Sequence, residues 1–318
     1  MNIFGAIRLV STEGLEKEEW LKYRQRGIGG SDAGAILGVN KYRSAMEVYM
    51  DKLSDTPNEI PDNEAMRQGR DLEDYVAKRF CDQEGKTVRR CKSILQHSEY
   101  PFLIADVDRI VDGENAILEC KTASSFLNEK YKKDDVPLSY IFQCYHYMMV
   151  CPKVERVYLA VLIYGLQFKV YTIEREQEQI AALQEREIEW WTRHIIGKEM
   201  PEPDGSESCQ KMLNTMFDAP EGEKNLSSNC ELLLKELEAS ENEARELDKR
   251  CVQIKQAIQK ELGNAEVGLT ETFRVNWKQV KGRETFDKKR FVSEHPHVLD
   301  EYIKQGAPSR RFTYERMI

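Results

Sequence analysis

The stretch PFLIADVDRIVDGENAILECKT, residues 101–122, places charged residues inside runs that otherwise read as β-strand. Two segments rich in Ile, Val and Leu flank Asp112-Gly113, a tight-turn signal, so the stretch reads as a β-hairpin. A turn centred between Gly113 and Glu114 sets Asp112 opposite Asn115, Ile110 opposite Ile117, Asp108 opposite Glu119 and Asp106 opposite Lys121. Side chains alternate between faces with period two, so these four charged residues share one face. Opposed Cβ atoms lie about 4.5–5.5 Å apart. Two carboxylates that close repel each other unless something positive sits between them.

Composition limits what such a face can be for. The chain has 318 residues, 41% hydrophobic and 32% charged, which is the make-up of a soluble globular protein with a sizeable core. No apolar run approaches the roughly 18 residues a membrane span needs, so no membrane partner is expected. The N-terminus lacks the basic start and long apolar middle of a secretory signal, and the eight cysteines are scattered without a CxxC pair. Reduced thiols in a cytoplasmic protein are the expectation, and an iron–sulfur staple is disfavoured because the closest pair is Cys144 and Cys151. The net charge of −8 argues weakly against nucleic acid, but residues 201–266 carry −7 and residues 267–318 carry +4. Basic clusters at 86–92 (KTVRRCK) and 130–135 (KYKKDD) leave room for a phosphate-binding surface.

Upstream of the hairpin, residues 64–83 read as a helix with the seam Met66, Gly69, Glu73, Val76 and Phe80, which puts Glu73 on the core-facing stripe. A carboxylate there is costly to bury unless paired or bound to a metal. Downstream, Pro137 opens a helix in which Gln143 and Tyr147 share a face at i, i+4. ERVYLAVLIYG and LQFKVYTIE read as two strands, and a helix follows to about residue 196. Past the break MPEPDG (200–205), an alternation of three and four runs from Cys230 through Leu233, Leu237, Ala244, Leu247 and Ile254 to Ile258. That is the seam of a long helix in a coiled-coil-like pairing, with a helix of the same chain as the favoured partner. FRVNWKQV and RRFTYERMI read as strands of a basic tail. The domain expectation is therefore 1–200, a helical arm 206–263 and a small α/β tail 264–318.

Asp108, then Glu119-Cys120-Lys121 on the next strand, with a helical Glu73, form an acidic cluster containing one cation. Oxygen ligands on adjacent strands suit a hard ion such as Mg²⁺, with Mn²⁺ able to substitute. Such an ion activates water and offsets charge on phosphorus, while Lys121 positions or helps deprotonate the nucleophile; that is phosphodiester hydrolysis. The bare string D…ExK also occurs in ordinary surface hairpins, so its meaning depends on what surrounds it.

Five ordered pieces supply that context: Trp20-LKY-Arg24 followed by GIGGSDAGAILG, Gly69-RDL-Glu73, IADVDRIV, ILECKT, and Gln143-CYH-Tyr147. With them the chain resembles the YqaJ-type phage recombinase exonucleases, relatives of phage lambda exonuclease in the PD-(D/E)xK nuclease superfamily. The resemblance runs through most of residues 17–196. It implies an α/β fold with a mixed sheet flanked by helices, one or two Mg²⁺ ions, and digestion of duplex DNA from a 5′ end to leave 3′ single strands. Carried over, Asp108 and Glu119 are metal ligands, Cys120 lends its backbone carbonyl, Glu73 completes the acidic cluster and Lys121 acts on the water. Arg24 and Ser31 correspond to the grip on the terminal phosphate. Gln143 lies near the metal, and Tyr147 packs or positions. The family often has Ser or Asn and then Pro before its aspartate; AlaAspValAsp stands here instead, so Asp106 competes with Asp108, and the symmetric register favours Asp108. From the residues alone, the glycines before a helix opening at Ser31 are also a place for an anion.

Implied partners are duplex DNA, a single-strand annealing protein and further copies of the chain. An endonuclease of the same superfamily, or a non-catalytic DNA-binding or assembly protein on this fold, are the competing functions. The five histidines lack metal-ligand spacing, and Trp190 and Trp191 read as core.

Overall fold

The computed structural model describes all residues except 1, 57–62, 125–135, 166, 220–221, 296–297, 305, 307–309 and 317–318. The basic cluster 130–135 lies outside the described residues. Two compact units, Met1–Asp218 and Ala219–Ile318, make up the chain. No described helix is long and apolar enough to cross a membrane.

The strands of the first unit are β1 (Asn2–Ile3), β2 (Ala6–Ser11), β3 (Val88–Arg90), β4 (Ser93–Gln96), β5 (Ile104–Asp106), β6 (Arg109–Val111), β7 (Ala116–Ala123), β8 (Arg156–Ile163) and β9 (Gln167–Glu174). Its helices are α1 (Lys17–Gln25), α2 (Gly30–Ile36), α3 (Ala45–Leu53), α4 (Glu64–Glu84), α5 (Leu138–Val150), α6 (Gln177–Trp190) and α7 (Glu207–Met216), with a π-helical turn Trp191–Ile196 continuing α6. The order β3-β6-β7-β8-β9 gives a five-stranded mixed sheet in which only β7 and β8 run parallel. A parallel pair needs a crossover, and α5 lies on it. A four-stranded antiparallel sheet, β1-β2-β4-β5, stands beside it in the same unit.

Strand alternation divides the core between the two faces of the mixed sheet. Ile110, Ile117 and Val157 join Met148 and Val150 of α5, and Ile180 and Leu183 of α6, in one cluster. Val111, Leu118, Tyr158 and Ala160 point the other way, onto Val76, Ala77 and Phe80 of α4. The sheet is thus flanked by helices as expected, and the near-continuous apolar run of β8 follows from cover on both faces.

The hairpin register is the expected one, with Arg109 opposite Leu118 and Ile110 opposite Ile117. The first strand, however, is broken. Residues 104–106 pair with β4 in the other sheet, Asp106 opposite Ile94, so Asp106 leaves the hairpin and does not face Lys121. The seam of α4 is apolar only in its second half: Val76 and Phe80 are buried, while Met66 is 41% exposed.

The domain boundary expected near residue 200 lies at Asp218 instead. Ser208 and Cys209 at the start of α7 are buried, and the Ser208 hydroxyl accepts from the Ser44 amide at 3.1 Å and donates to Glu47 at 2.5 Å. MPEPDG is therefore a connection inside the first unit.

In the second unit, the long helix α8 (Ser228–Leu262) starts at a Ser227 cap whose hydroxyl accepts from the Cys230 amide at 3.2 Å. None of its residues is buried, and Leu247 of the seam is 60% exposed. Among the described residues the expected helical hairpin is absent. The tail meets α8 through polar contacts, Tyr314 donating to Glu241 and Arg316 to Glu238. The strand expected within 273–280 is short and belongs to a hairpin of β10 (Val267–Leu269) and β11 (Arg274–Asn276). Described residues 310–316 form no strand.

Candidate active site

A cleft of about 530 Å³ gathers Arg24, Ser31, Glu73, Asp106, Asp108, Glu119, Gln143 and Tyr147 in its lining. Lys121 borders an adjoining pocket that shares Ser31 and Gln143 with the cleft. Residues from α1, α2, α4, the β5–β6 break, β7 and α5 thus meet at one place, although Arg24 and Tyr147 are 123 positions apart in the chain.

At its centre, Asp108 caps the start of β6 and its Oδ2 accepts the Cys120 amide at 2.8 Å, which locks it to β7. Glu119, 3% exposed, receives the Lys121 ammonium and the Gln143 amide on Oε1, each at 2.7 Å. Its second oxygen, Oε2, is buried without any hydrogen-bond partner. The side-chain amide of Gln143 also reaches the Tyr147 hydroxyl at 2.7 Å, and that hydroxyl donates to the Asp106 carbonyl at 3.2 Å. One turn of α5 thereby orients both Glu119 and the strand break that carries Asp106 and Asp108.

Electrostatics make this pair of acids a place that lacks positive charge. Burial, reinforced by Glu119 and Glu73, pushes the Asp108 carboxyl well above the usual range, against the pull of Lys121. For Lys121 burial favours the neutral amine, but Glu119 and Asp108 overcome it and hold the group as an ammonium. Its Nζ also lies 5.2 Å from the Tyr140 ring centre.

Glu73 lines the same cleft but is engaged from the other side by Arg109. Its helix covers the opposite face of the sheet, the face onto which Arg109 alternates, and Arg109 takes the Glu73 carboxylate at 2.5 Å, Asp74 at 2.6 Å and the Asp108 carbonyl at 2.7 Å. Among the described residues, no three His, Cys, Asp or Glu side chains come together to hold a metal ion. Asp106 is likewise engaged elsewhere, accepting from the Trp20 indole at 2.7 Å. What remains suited to a hard cation is Asp108, Glu119 and the backbone carbonyl of Cys120, all oxygen donors. The unpartnered Glu119 oxygen and the raised Asp108 fit such an ion.

At the other end of the cleft the Arg24 guanidinium donates to the Ser31 hydroxyl at 2.8 Å and lies over the Trp20 ring at 4.7 Å. The helix opens one residue earlier than expected, at Gly30, with the Asp32 carboxylate accepting from the Gly29 amide at 3.0 Å. The glycines there serve packing: a Cβ on Gly30 would lie 2.6 Å from the Tyr147 ring, and one on Gly34 would lie 2.9 Å from Ser139. They let α2 press onto α5, with Gly30 set against Gln143 and Tyr147.

Several residues that support the site were given no role at the site by the sequence. Trp20 bridges Arg24 and Asp106. Asp32, 1% exposed, is paired with Lys52 at 2.9 Å and with Arg43, tying α2 to α3. His146 on α5 meets Glu187 at 2.9 Å and donates its other ring N–H to the Ile104 carbonyl at 2.8 Å, so it anchors α5 to α6 and β5. The signal available for the last was the neighbouring Gln143-xxx-Tyr147 turn, which places His146 on the buried side of the same helix. Trp191 stacks on Phe102 with ring centres 5.1 Å apart, a packing role.

Comparison with known proteins gives a coherent set. Residues 19–153 match the model of the YqaJ-like viral recombinase domain. The chain is 36% identical over 308 residues, 96% of each chain, to the uncharacterized protein YqaJ of Bacillus subtilis (strain 168). Among solved structures, an alkaline exonuclease from Laribacter hongkongensis aligns with a TM-score of 0.49 at 18% identity, over 64% of this chain and 99% of that one. A phage related exonuclease from Haemophilus somnus 129PT aligns with a TM-score of 0.38 at 16% identity, over 54% and 96%.

Proposed function

This chain belongs to the YqaJ-like viral recombinase family, and from that premise we propose that it is a divalent-metal-dependent DNA exonuclease acting from 5′ ends of duplexes. The observation that carries the reading is the set of buried Glu119 with half-buried Asp108 and Lys121, braced by Gln143, in a cleft that also holds the Arg24–Ser31 pair. Asp108, Glu119 and the Cys120 carbonyl would hold Mg²⁺ or Mn²⁺, whose chemistry when bound is to lower the pKa of water and to offset charge developing on phosphate oxygens.

The chain's own groups divide the remaining work. Lys121, held as an ammonium against Glu119, positions the attacking water and steadies negative charge at the phosphate, a role that suits it better than that of general base. Gln143 fixes the Glu119 carboxylate through Oε1 and leaves Oε2 turned to its task. Arg24 and Ser31 provide donors for a terminal 5′-phosphate, with Trp20 beneath the guanidinium. Glu73 acts at one remove, by holding Arg109 against the Asp108 backbone. Residues 219–318 contribute none of these groups, and we assign them to assembly with further copies or to docking of a single-strand annealing protein. The expected outcome for Lys121→Ala and Glu119→Ala is loss of Mg²⁺-dependent hydrolysis with DNA binding retained. Full activity in either folded variant, measured on linear duplex beside a melting curve, would remove this site from consideration.

A further inference from the structure

Across Ser31 and Gln143 the acidic cleft opens into a second depression of about 260 Å³. Its walls are Tyr42, Tyr140 and Pro137, and its two cations are Lys41 and Lys121. Tyr42 is 70% exposed, so its ring adds little to the core. Its backbone is nevertheless fixed. The Tyr42 amide donates to the Asn40 side chain at 2.9 Å, and the Val39 and Asn40 amides both donate to the Gly34 carbonyl, at 2.9 and 3.0 Å. Lys41 Nζ sits 4.6 Å from the centre of the Tyr42 ring, and Lys121 Nζ sits 5.2 Å from that of Tyr140. A hydrogen-bonded loop thus presents a largely exposed aromatic ring, with Lys41 over it, to a depression that Lys121 also lines, and Lys121 also touches Glu119.

We propose that this depression is a nucleobase subsite, in which a base next to the scissile phosphate stacks on Tyr42. The inference rests on the reading of the cleft as a phosphodiester-hydrolysing site. Lys121 joins the depression to the acidic cleft, because it is both a wall of the one and the partner of Glu119 in the other. A strand whose phosphate reaches Glu119 and Lys121 has its adjacent nucleotide within reach of the depression, since successive nucleotides follow at short spacing. Aromatic side chains accept any base through its π-face, and a flanking cation adds attraction to the backbone phosphate. The charge and the aromatic surface therefore match one ligand, a nucleotide within a strand. An apolar peptide would match neither the Lys41 ammonium nor the charged floor that Lys121 and Glu119 form.

The test uses the full chain, with Tyr42→Ala and Tyr42→Phe, on linear duplexes that carry either a normal base, 2-aminopurine or an abasic site on each side of the scissile phosphate. Single-turnover cleavage is measured with Mg²⁺, and 2-aminopurine fluorescence is measured on binding with Ca²⁺ in place of Mg²⁺. Loss of one stacked base is expected to slow Tyr42→Ala about tenfold or more on normal duplex. Tyr42→Phe should stay near wild type. On the abasic duplex wild type and Tyr42→Ala should converge, and 2-aminopurine quenching seen with wild type should be lost with Tyr42→Ala. A wild type that cleaves DNA, beside a Tyr42→Ala variant equally fast or slowed alike on normal and abasic duplexes, would overturn the subsite while leaving the hydrolytic reading in place. A wild type that neither binds nor cuts any of these duplexes would overturn both. Melting curves confirm that the variants fold, as the exposure of Tyr42 leads one to expect.

Discussion

Replacing Asp108 with asparagine separates the charge at the candidate site from its shape. The asparagine side-chain oxygen can still accept the Cys120 amide, a bond of 2.8 Å in the native chain, and the side chain is nearly the same size. What disappears is a half-buried carboxylate beside buried Glu119, which has an oxygen with no partner. Relieving a buried group of this kind is worth about 1–3 kcal/mol. At about 2–4 °C per kcal/mol for a domain of this size, Asp108→Asn should melt roughly 2–12 °C higher than wild type when no divalent ion is present. The sign with pH follows from the raised carboxyl, whose causes are burial and then Glu119 and Glu73. A raised folded pKa gives stability that is fully present below the ordinary carboxylate pKa of about 3.9 and is lost as pH rises through the folded value. The advantage of Asp108→Asn should therefore widen from pH 5 to pH 8.5. Added Mg²⁺ or Mn²⁺ should reverse the order, since an ion at 100 times its Kd stabilises the wild type by about 2.7 kcal/mol and the variant by much less. Thermal melts in EDTA and in each ion, across that pH range, provide the assay. A variant that melts at or below wild type in EDTA at every pH, or ions that raise both proteins equally, would refute the reasoning.

Two further outcomes are expected. Asp32→Asn should lose about 3–5 kcal/mol at pH 7, because Lys52, 2% exposed, is left without its buried carboxylate. Burial works to raise the Asp32 carboxyl, but Lys52 and Arg43 overcome it and hold it far below the usual range. That stabilisation is present above the ordinary carboxylate pKa and is lost as pH falls through the depressed one, so denaturant unfolding should show the deficit unchanged from pH 8 to pH 5. Arg24→Ala should slow digestion of 5′-phosphorylated ends selectively, by a factor of about 10 to 150 for a charge-assisted bond worth about 1.5–3 kcal/mol. Equal losses on 5′-phosphate and 5′-hydroxyl ends, in parallel single-turnover assays, would count against that role.

The parts of the fold legible in the sequence were those set by short-range periodicity. A turn at Asp112-Gly113 and a period of two were enough to place Ile110 opposite Ile117. A period of 3.6 was enough to put Gln143 and Tyr147 side by side. The break that sends Asp106 to the other sheet was hidden, since its partner strand β4 lies outside the hairpin and IADVDRIV contains no Gly or Pro to mark it. Glu73 shows the same limit. Its place on the inner stripe of a helix was readable, but which face of the sheet that helix covers was not. Arg109, one residue after Asp108 and so on the opposite face, was the available hint that an acid must wait there. The link from Trp20 to Asp106 crosses 86 positions and left no local trace. The glycines of GIGGSDAGAILG suggested a place for an anion, whereas Gly30 and Gly34 are needed for close contact with α5. In the second unit, the heptad-like seam foretold a long helix but not the exposure of Leu247 and its neighbours.

The central claim, metal-dependent removal of nucleotides from a duplex end, is tested most directly by incubating the full chain with a 5′-labelled linear duplex and a covalently closed circle in one tube, with and without Mg²⁺. Label is expected to leave the linear duplex as mononucleotide only when Mg²⁺ is present, 3′ single strands to accumulate, and the circle to stay intact. Cutting of the circle at a comparable rate, or release of label in EDTA, would contradict it.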